Sequence, residues 1–259
     1  MTKTQISEQE KPNDFLFYSE GIRAMGEMMS LPFSLPLLRL APKGDGHTVM
    51  IIPGFTADDD STLSLRRFLS DMGYDVHGWG LGVNKGAREE LFRLCAERIE
   101  ALYKESGQKI TLIGQSLGGI YARELAKLTP YIRQVICLGS PVDRRNGDGS
   151  RISALYEYMN REYMADFDNE FLEQTATAPD VPCSMVYSQL DGIVHWSTCR
   201  QNKPSDCAEN IEVYSSHSGM GFSPAIYYLL TDRLAQKEGE WKPFNSPLWL
   251  KGAFPEHLH

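Results

Sequence analysis

Long apolar stretches are missing from this chain. No segment reaches the roughly 18 uninterrupted apolar residues of a membrane-spanning helix, so a transmembrane protein is not expected. A basic surplus is missing too. Lys and Arg number 26 against 34 Asp and Glu, for a net charge of −8. No basic stripe is available to neutralise phosphates, which excludes a nucleic-acid partner and docking on an anionic membrane by charge alone. Cysteine is scarce and odd in number, at five. Cys95 falls in a helical pattern, and Cys137 and Cys183 in strand patterns, where cysteine acts as a small hydrophobe. Cys199 and Cys207 flank a polar loop and read as free thiols rather than a disulfide. His195 lies near them, but the spacing matches no common zinc pattern. Residues 1–13 are polar and charged and lack the apolar core and cleavage site of a secretory signal, so a cytoplasmic location is expected.

Alternation of strand and helix signals is what the chain does have. Hydrophobic residues make up 42% of its 259 positions, enough for one substantial α/β core. Residues 15–40 have roughly helical spacing, with Pro32 and Pro36 expected to end the helix. They read as a cover over a sheet; an apolar flap or a membrane-surface contact is the alternative. Strands are expected at 48–55, 74–81, 109–115, 133–138, 181–188 and 211–215. Helices are expected at 61–72 (capped by Ser61), 87–106 (stopped by Gly107), 117–128 and 224–236. The strands are apolar nearly throughout, as in a parallel sheet covered on both faces. Residues 143–180 are longer than a plain crossover and include helix-like stretches at 152–164 and 167–175. Such an insertion reads as a cap over a pocket. The expected division is an N-terminal tail and covering helix at 1–44, a core at 45–142 and 181–240, the lid at 143–180 and a C-terminal tail at 241–259.

The segment Lys109-Ile-Thr-Leu-Ile-Gly-Gln-Ser-Leu-Gly-Gly-Ile120 carries the most information. An apolar strand runs into Gly114-Gln115-Ser116-Leu117-Gly118 and then into a helix. This is a strand, a sharp turn strained at the serine, and a helix, with glycines where the two elements must approach closely. A serine hydroxyl is a weak nucleophile and needs a histidine base oriented by an acid. Asp191 lies just past the strand at 181–188, and His217 just past the strand at 211–215. Both fall on the sheet edge that carries Ser116, where ligands bind in open α/β sheets. His195 shares the loop of Asp191 and is badly placed as its partner. His47 and His77 precede the elbow, and His257 and His259 are in the tail. Asp143, after the strand that follows the elbow, is the rival acid. A developing oxyanion needs backbone donors. The Leu117 amide follows the nucleophile, and the Phe55 amide, with Thr56 second, lies in the loop after the first strong strand. Asp58, Asp59 and Asp60 read as a solvated, helix-capping run.

Together Pro53-Gly54-Phe55, Gly114–Gly119, Asp191-Gly192-Ile193-Val194 and Ser216-His217-Ser218-Gly219 resemble the α/β-hydrolase superfamily, especially its small serine esterases and lipases. The resemblance spans about 45–240. Many members have His-Gly where this chain has Pro53-Gly54; the donor there is backbone, so the function of the loop does not require the histidine. The resemblance implies an α/β-hydrolase fold: a mostly parallel central sheet, helices on both faces and a helical lid insertion. It implies no cofactor and no metal. The expected activity is carboxylic ester hydrolysis through an acyl-enzyme, on a small-molecule ester of short to medium acyl chain. Ser116, His217 and Asp191 would be catalytic, Leu117 and Phe55 would form the oxyanion hole, and Thr56, Tyr156 and Tyr158 would contact substrate. A lipase for longer chains, a thioesterase or an acyltransferase would use the same machinery. A hydrolase-like fold that only binds a ligand or partner is the alternative of another class. The oligomeric state is left open.

Overall fold

The computed structural model describes residues 11–86, 88–144, 149–160, 169–203 and 205–255, without the side chains of 154, 155, 158 and 169–172. Six strands form one parallel sheet: β1 (Thr48–Ile52), β2 (Asp75–Gly78), β3 (Ile110–Gln115), β4 (Ile132–Leu138), β5 (Cys183–Tyr187) and β6 (Ala208–Glu212). Their order is β2-β1-β3-β4-β5-β6. Seven helices are described: α1 (Asp14–Leu38), α2 (Leu63–Asp71), α3 (Glu89–Ser106), α4 (Leu117–Leu128), α5 (Ser153–Met159), α6 (Asn169–Ala176) and α7 (Pro224–Leu234).

Side chains alternate across a strand, so each central strand feeds two cores. Val49, Ile51, Ile113, Ile136 and Val186 pack with α2 and α7 through Leu65, Phe68, Ile226 and Leu230. Met50, Ile52, Leu112, Val135 and Met185 pack on the other face with α3 and α4 through Ile99, Tyr121 and Leu125. The strand order reverses at β1 and β3, where the crevice of a doubly wound sheet opens. The register sets Ile52 opposite Gly114, so the chain leaving β1 and the chain leaving β3 face each other across that crevice.

Three local expectations are corrected. Helix α1 does not end at its prolines; it runs through Pro32 and Pro36 to Leu38. Each interior proline costs about 3 kcal/mol. Burial of Leu31 and Leu38 in the core shared with α7 offsets that cost. Helix α1 packs on α7 and on the turn at Ser218–Gly221, and leaves Phe15, Tyr18, Ile22, Met25, Met28, Met29 and Phe33 exposed. Ser61 is not the cap of α2. Its hydroxyl donates back to the Asp58 carbonyl, and the Asp58 side chain caps the preceding 3₁₀ turn instead. Strand β6 stops at Glu212 rather than 215, because Ser215 leaves the ladder for side-chain partners on Ser188 and Glu27. The stop of α3 at Gly107, in the left-handed region at φ 67°, is as expected.

The junction of β3 and α4 fixes the architecture. A Cβ on Gly114 would lie 2.3 Å from the backbone of Gly118, and one on Gly118 would lie 2.2 Å from the Ile52 carbonyl oxygen. Backbone is met in both cases, so neither clash can be relieved by a rotamer. Gly114→Ala is expected to cost about 2 kcal/mol or more and to lower the thermal midpoint by about 4 °C or more. A wild-type midpoint in calorimetry would contradict this packing account.

Candidate active site

The turn between β3 and α4 holds Ser116 at φ 52° and ψ −121°, a positive φ that a side chain adopts only under constraint. The Ser116 amide donates to the Leu138 carbonyl at 2.8 Å, which ties the elbow to the end of β4. The next residue after β4, Gly139, lies against the His217 ring: a Cβ there would be 3.2 Å from Nδ1. Gln115 Nε2 reaches the His217 carbonyl at 3.4 Å. The elbow and the histidine loop therefore meet at the C-terminal edge of the sheet.

His217 and Asp191 are bonded. Nδ1 of His217 lies 2.6 Å from Oδ2 of Asp191, both residues being buried. The other carboxylate oxygen accepts from the amides of Ile193 at 2.8 Å and Val194 at 2.7 Å, which fixes its plane. Burial alone would push the His217 pKa down. The charge and hydrogen bond of Asp191, with the charge of Glu20 added, outweigh burial and hold it above the ordinary histidine value. The rival acid is placed elsewhere: Asp143 accepts from Asn202 Nδ2 at 2.9 Å. The rival histidines have their own partners, His195 on Ser197, His47 on Asp45 and Thr111, and His77 on Asp75. His257 and His259 lie outside the described residues. Ser116 Oγ makes no hydrogen bond among the described residues; in ligand-free sites this contact is commonly long and tightens around substrate.

Two backbone donors beside the elbow are uncommitted among the described residues: the amides of Phe55 and Leu117 donate to no protein group. The Thr56 amide, in contrast, is committed to the Asn84 carbonyl at 2.8 Å. Thr56 itself sits at φ 64°, and it does not line the cleft beside Ser116. Asn84, which sequence reasoning missed, holds the loop after β1: it is fully buried and donates its side-chain amide to the Pro53 carbonyl at 2.9 Å. The glycines at 82 and 86 around it were the available signal.

The cleft is walled by Phe55, Leu117, Ile120, Ile152, Tyr156 and Val194. Phe55 and Tyr156 meet edge to face in its wall, with ring centroids 5.0 Å apart. Tyr156 is thus brought to the site by α5; the side chain of Tyr158 lies outside the described residues. Among the described residues no cluster of three or more His, Cys, Asp or Glu side chains could hold a metal. Cys199 and Cys207 are free thiols.

Comparison with known proteins fits this arrangement. Residues 56–193 match the family model of the PGAP1-like alpha/beta domain, more than half of the chain. The chain belongs to that family. It is an α/β hydrolase, and its fold is shared with solved lipases at low identity. The monoacylglycerol lipase of Paleococcus ferrophilus superposes with a TM-score of 0.53 at 15% identity, over 74% of this chain and 96% of that one. A soluble variant of monoglyceride lipase from Saccharomyces cerevisiae gives 0.54 at 16%, over 74% and 85%. Aspergillus fumigatus lipase B gives 0.54 at 14%, over 77% of this chain and 54% of that one. No curated protein matches the chain. The family match includes Ser116 and Asp191 but stops before His217 and begins after α1.

The geometry makes a site-level prediction. Asp191→Asn removes the charge that stabilises the imidazolium, so the pKa of His217 falls; Asp143→Asn leaves it in place. An NMR titration of the His217 ring in both variants checks this, and an unchanged pKa in Asp191→Asn would contradict the assigned pairing.

Proposed function

We propose that the protein is a serine hydrolase of carboxylic esters. The observation that carries this reading is the His217–Asp191 pair at 2.6 Å, set beside a strained Ser116 and two free amides on one sheet edge. Ser116 Oγ attacks the ester carbonyl while Nε2 of His217 takes its proton. Asp191 keeps the Nδ1–H tautomer and stabilises the imidazolium. The amides of Phe55 and Leu117 receive the oxyanion. His217 then protonates the departing alcohol, and water attacks the acyl-enzyme by the same route reversed. Tyr156, Ile152 and Ile120 favour an apolar acyl group, and the segment 143–180 that supplies α5 is the proposed lid. Short to medium acyl chains suit a cleft with Phe55 and Tyr156 packed together in its wall.

A second reading, a lipase for longer chains, draws support from a different observation. Helix α1 exposes seven large apolar side chains from Phe15 to Phe33, and three solved neighbours of the fold bear the name lipase.

Initial rates on p-nitrophenyl esters from acetate to palmitate decide between the two. Turnover is expected to peak at short or medium chains and to vanish in Ser116→Ala. A maximum at palmitate would move the reading to lipase. In the wild type a fluorophosphonate probe is expected to label Ser116; absence of both labelling and Ser116-dependent turnover would overturn the proposal. Because the imidazole must be neutral to act as a base, kcat/KM is expected to rise with pH through the raised pKa of His217. Asp191→Asn should lower kcat by roughly three to four powers of ten, with Asp143→Asn near wild type.

A further inference from the structure

Helix α1 lies outside the segment matched by the family model, yet three of its side chains grip both loops that carry the proposed acid and base. They are Glu20, Arg23 and Glu27, at spacings that share one helix face. Arg23 donates to the carbonyl of Leu190 at 2.6 Å, and Glu20 accepts from the amide of Gly192 at 3.1 Å. Asp191 is thereby bracketed, the residue before it and the residue after it both held from α1. Glu27 accepts from the amide of Ser216 at 2.7 Å, and Glu20 accepts from the amide of Ser218 at 2.8 Å. His217 is bracketed in the same way. Glu27 also accepts from the hydroxyls of Ser215 at 2.5 Å and Ser216 at 2.7 Å. Arg23 and Glu20 pair with each other at 2.9 Å, so the guanidinium partly compensates the buried carboxylate. Glycines allow the close approach: a Cβ on Gly192 would lie 2.3 Å from the Leu16 carbonyl oxygen, and one on Gly219 would lie 2.5 Å from the Glu27 carboxylate carbon.

We propose that Glu20 and Glu27 of α1 are positioning residues for His217, a clamp that sets the register of the histidine loop against the acid loop. A single carboxylate, Glu20, spans the two loops, so the Nδ1–Oδ2 distance depends on it directly. This deepens the ester-hydrolase reading and rests on it for the meaning of the geometry. A helix that merely covered apolar surface would not need this arrangement. Its apolar anchors are Leu31 and Leu38, near its far end, while its first half is held to the loops by polar contacts. Misplacing a reacting group by about 1 Å can cost on the order of 100-fold in rate.

The charged groups facing His217 are Asp191 on the acid loop and Glu20 on α1, with Arg23 and Glu27 one contact further out. Loss of the Glu20 charge therefore lowers the pKa of His217. The elbow packed against the ring presents Gln115, which is neutral.

The test uses the full chain and the variants Glu20→Gln and Glu27→Gln, in which an uncharged NH2 replaces one of the two accepting oxygens, those that serve Gly192 and Ser218 in Glu20 and Ser215 and Ser216 in Glu27. Folding is checked by circular dichroism. For each, kcat on p-nitrophenyl acetate is expected to fall about 10- to 100-fold with KM within about twofold. In Glu20→Gln the acid limb of the kcat/KM profile, and the NMR titration of the His217 ring, move to lower pH. Folded Glu20→Gln with wild-type kcat and an unmoved His217 titration would overturn the proposal. Should Glu20→Gln fail to fold, Glu27→Gln decides alone: the kcat loss supports the clamp, and wild-type kcat overturns it. Fluorophosphonate labelling of wild-type Ser116 separates the two levels. If the wild type is not labelled, the ester-hydrolase reading has failed; if it is labelled and the variants match it in kcat, only the clamp has failed.

Discussion

The backbone at Ser116 is held where a side chain does not choose to be, and much of the molecule serves to hold it there. A positive φ on a non-glycine residue costs of order 1–3 kcal/mol and persists only when its surroundings over-determine it. Here three contacts do so. Gly114 touches Gly118 within the turn, Gly118 touches the end of β1, and the Ser116 amide is tied to Leu138 at the end of β4. Central strand β3 lies between β1 and β4 in the sheet, so none of these contacts can relax without disturbing both neighbours. The result is a hydroxyl presented at the N-terminus of α4, beside the loop that leaves β1. Among the described residues the amides of Phe55 and Leu117, on either side of the crevice between β1 and β3, have no protein partner.

Electrostatics around the histidine follow from a second constraint, the burial of Asp191. A buried carboxylate must be hydrogen-bonded, and Asp191 is, by two amides of its own loop and by His217. That bond engages Nδ1 and leaves Nε2 as the ring nitrogen free of Asp191. The proposed clamp extends this order outward. Loops are ordinarily the mobile parts of an α/β domain, and the acid and histidine loops are stiffened by the side chains of one helix more than 160 residues away in the chain. Asn84 does the corresponding work for the loop after β1.

Much of this was legible in the sequence because the relevant signals are local. Glycine spacing around Ser116, an apolar strand before it and a helical pattern after it all act within a dozen residues, and α4 begins and ends where its pattern says. Strand ends followed by Asp191 and by His217 place both on the correct edge without any knowledge of packing. What sequence did not yield depends on distant partners. Nothing in the sequence singles out Glu20 and Glu27, whose partners are loops folded onto them from the far end of the chain. Pro32 and Pro36 read as breakers because the burial of Leu31 and Leu38 that keeps α1 intact is tertiary. The role of Asn84 was hidden for the same reason, since its partners Pro53 and Thr56 lie on another connection.

The most direct test of the account is a crystal structure of the protein after reaction with diethyl p-nitrophenyl phosphate, whose tetrahedral phosphoryl group mimics the intermediate of ester hydrolysis. The account predicts phosphorus bonded to Ser116 Oγ and a phosphoryl oxygen about 2.7–3.1 Å from the amides of both Phe55 and Leu117, with the Asp191–His217 bond intact. An adduct on another residue, or a phosphoryl oxygen directed away from those two amides, would contradict it.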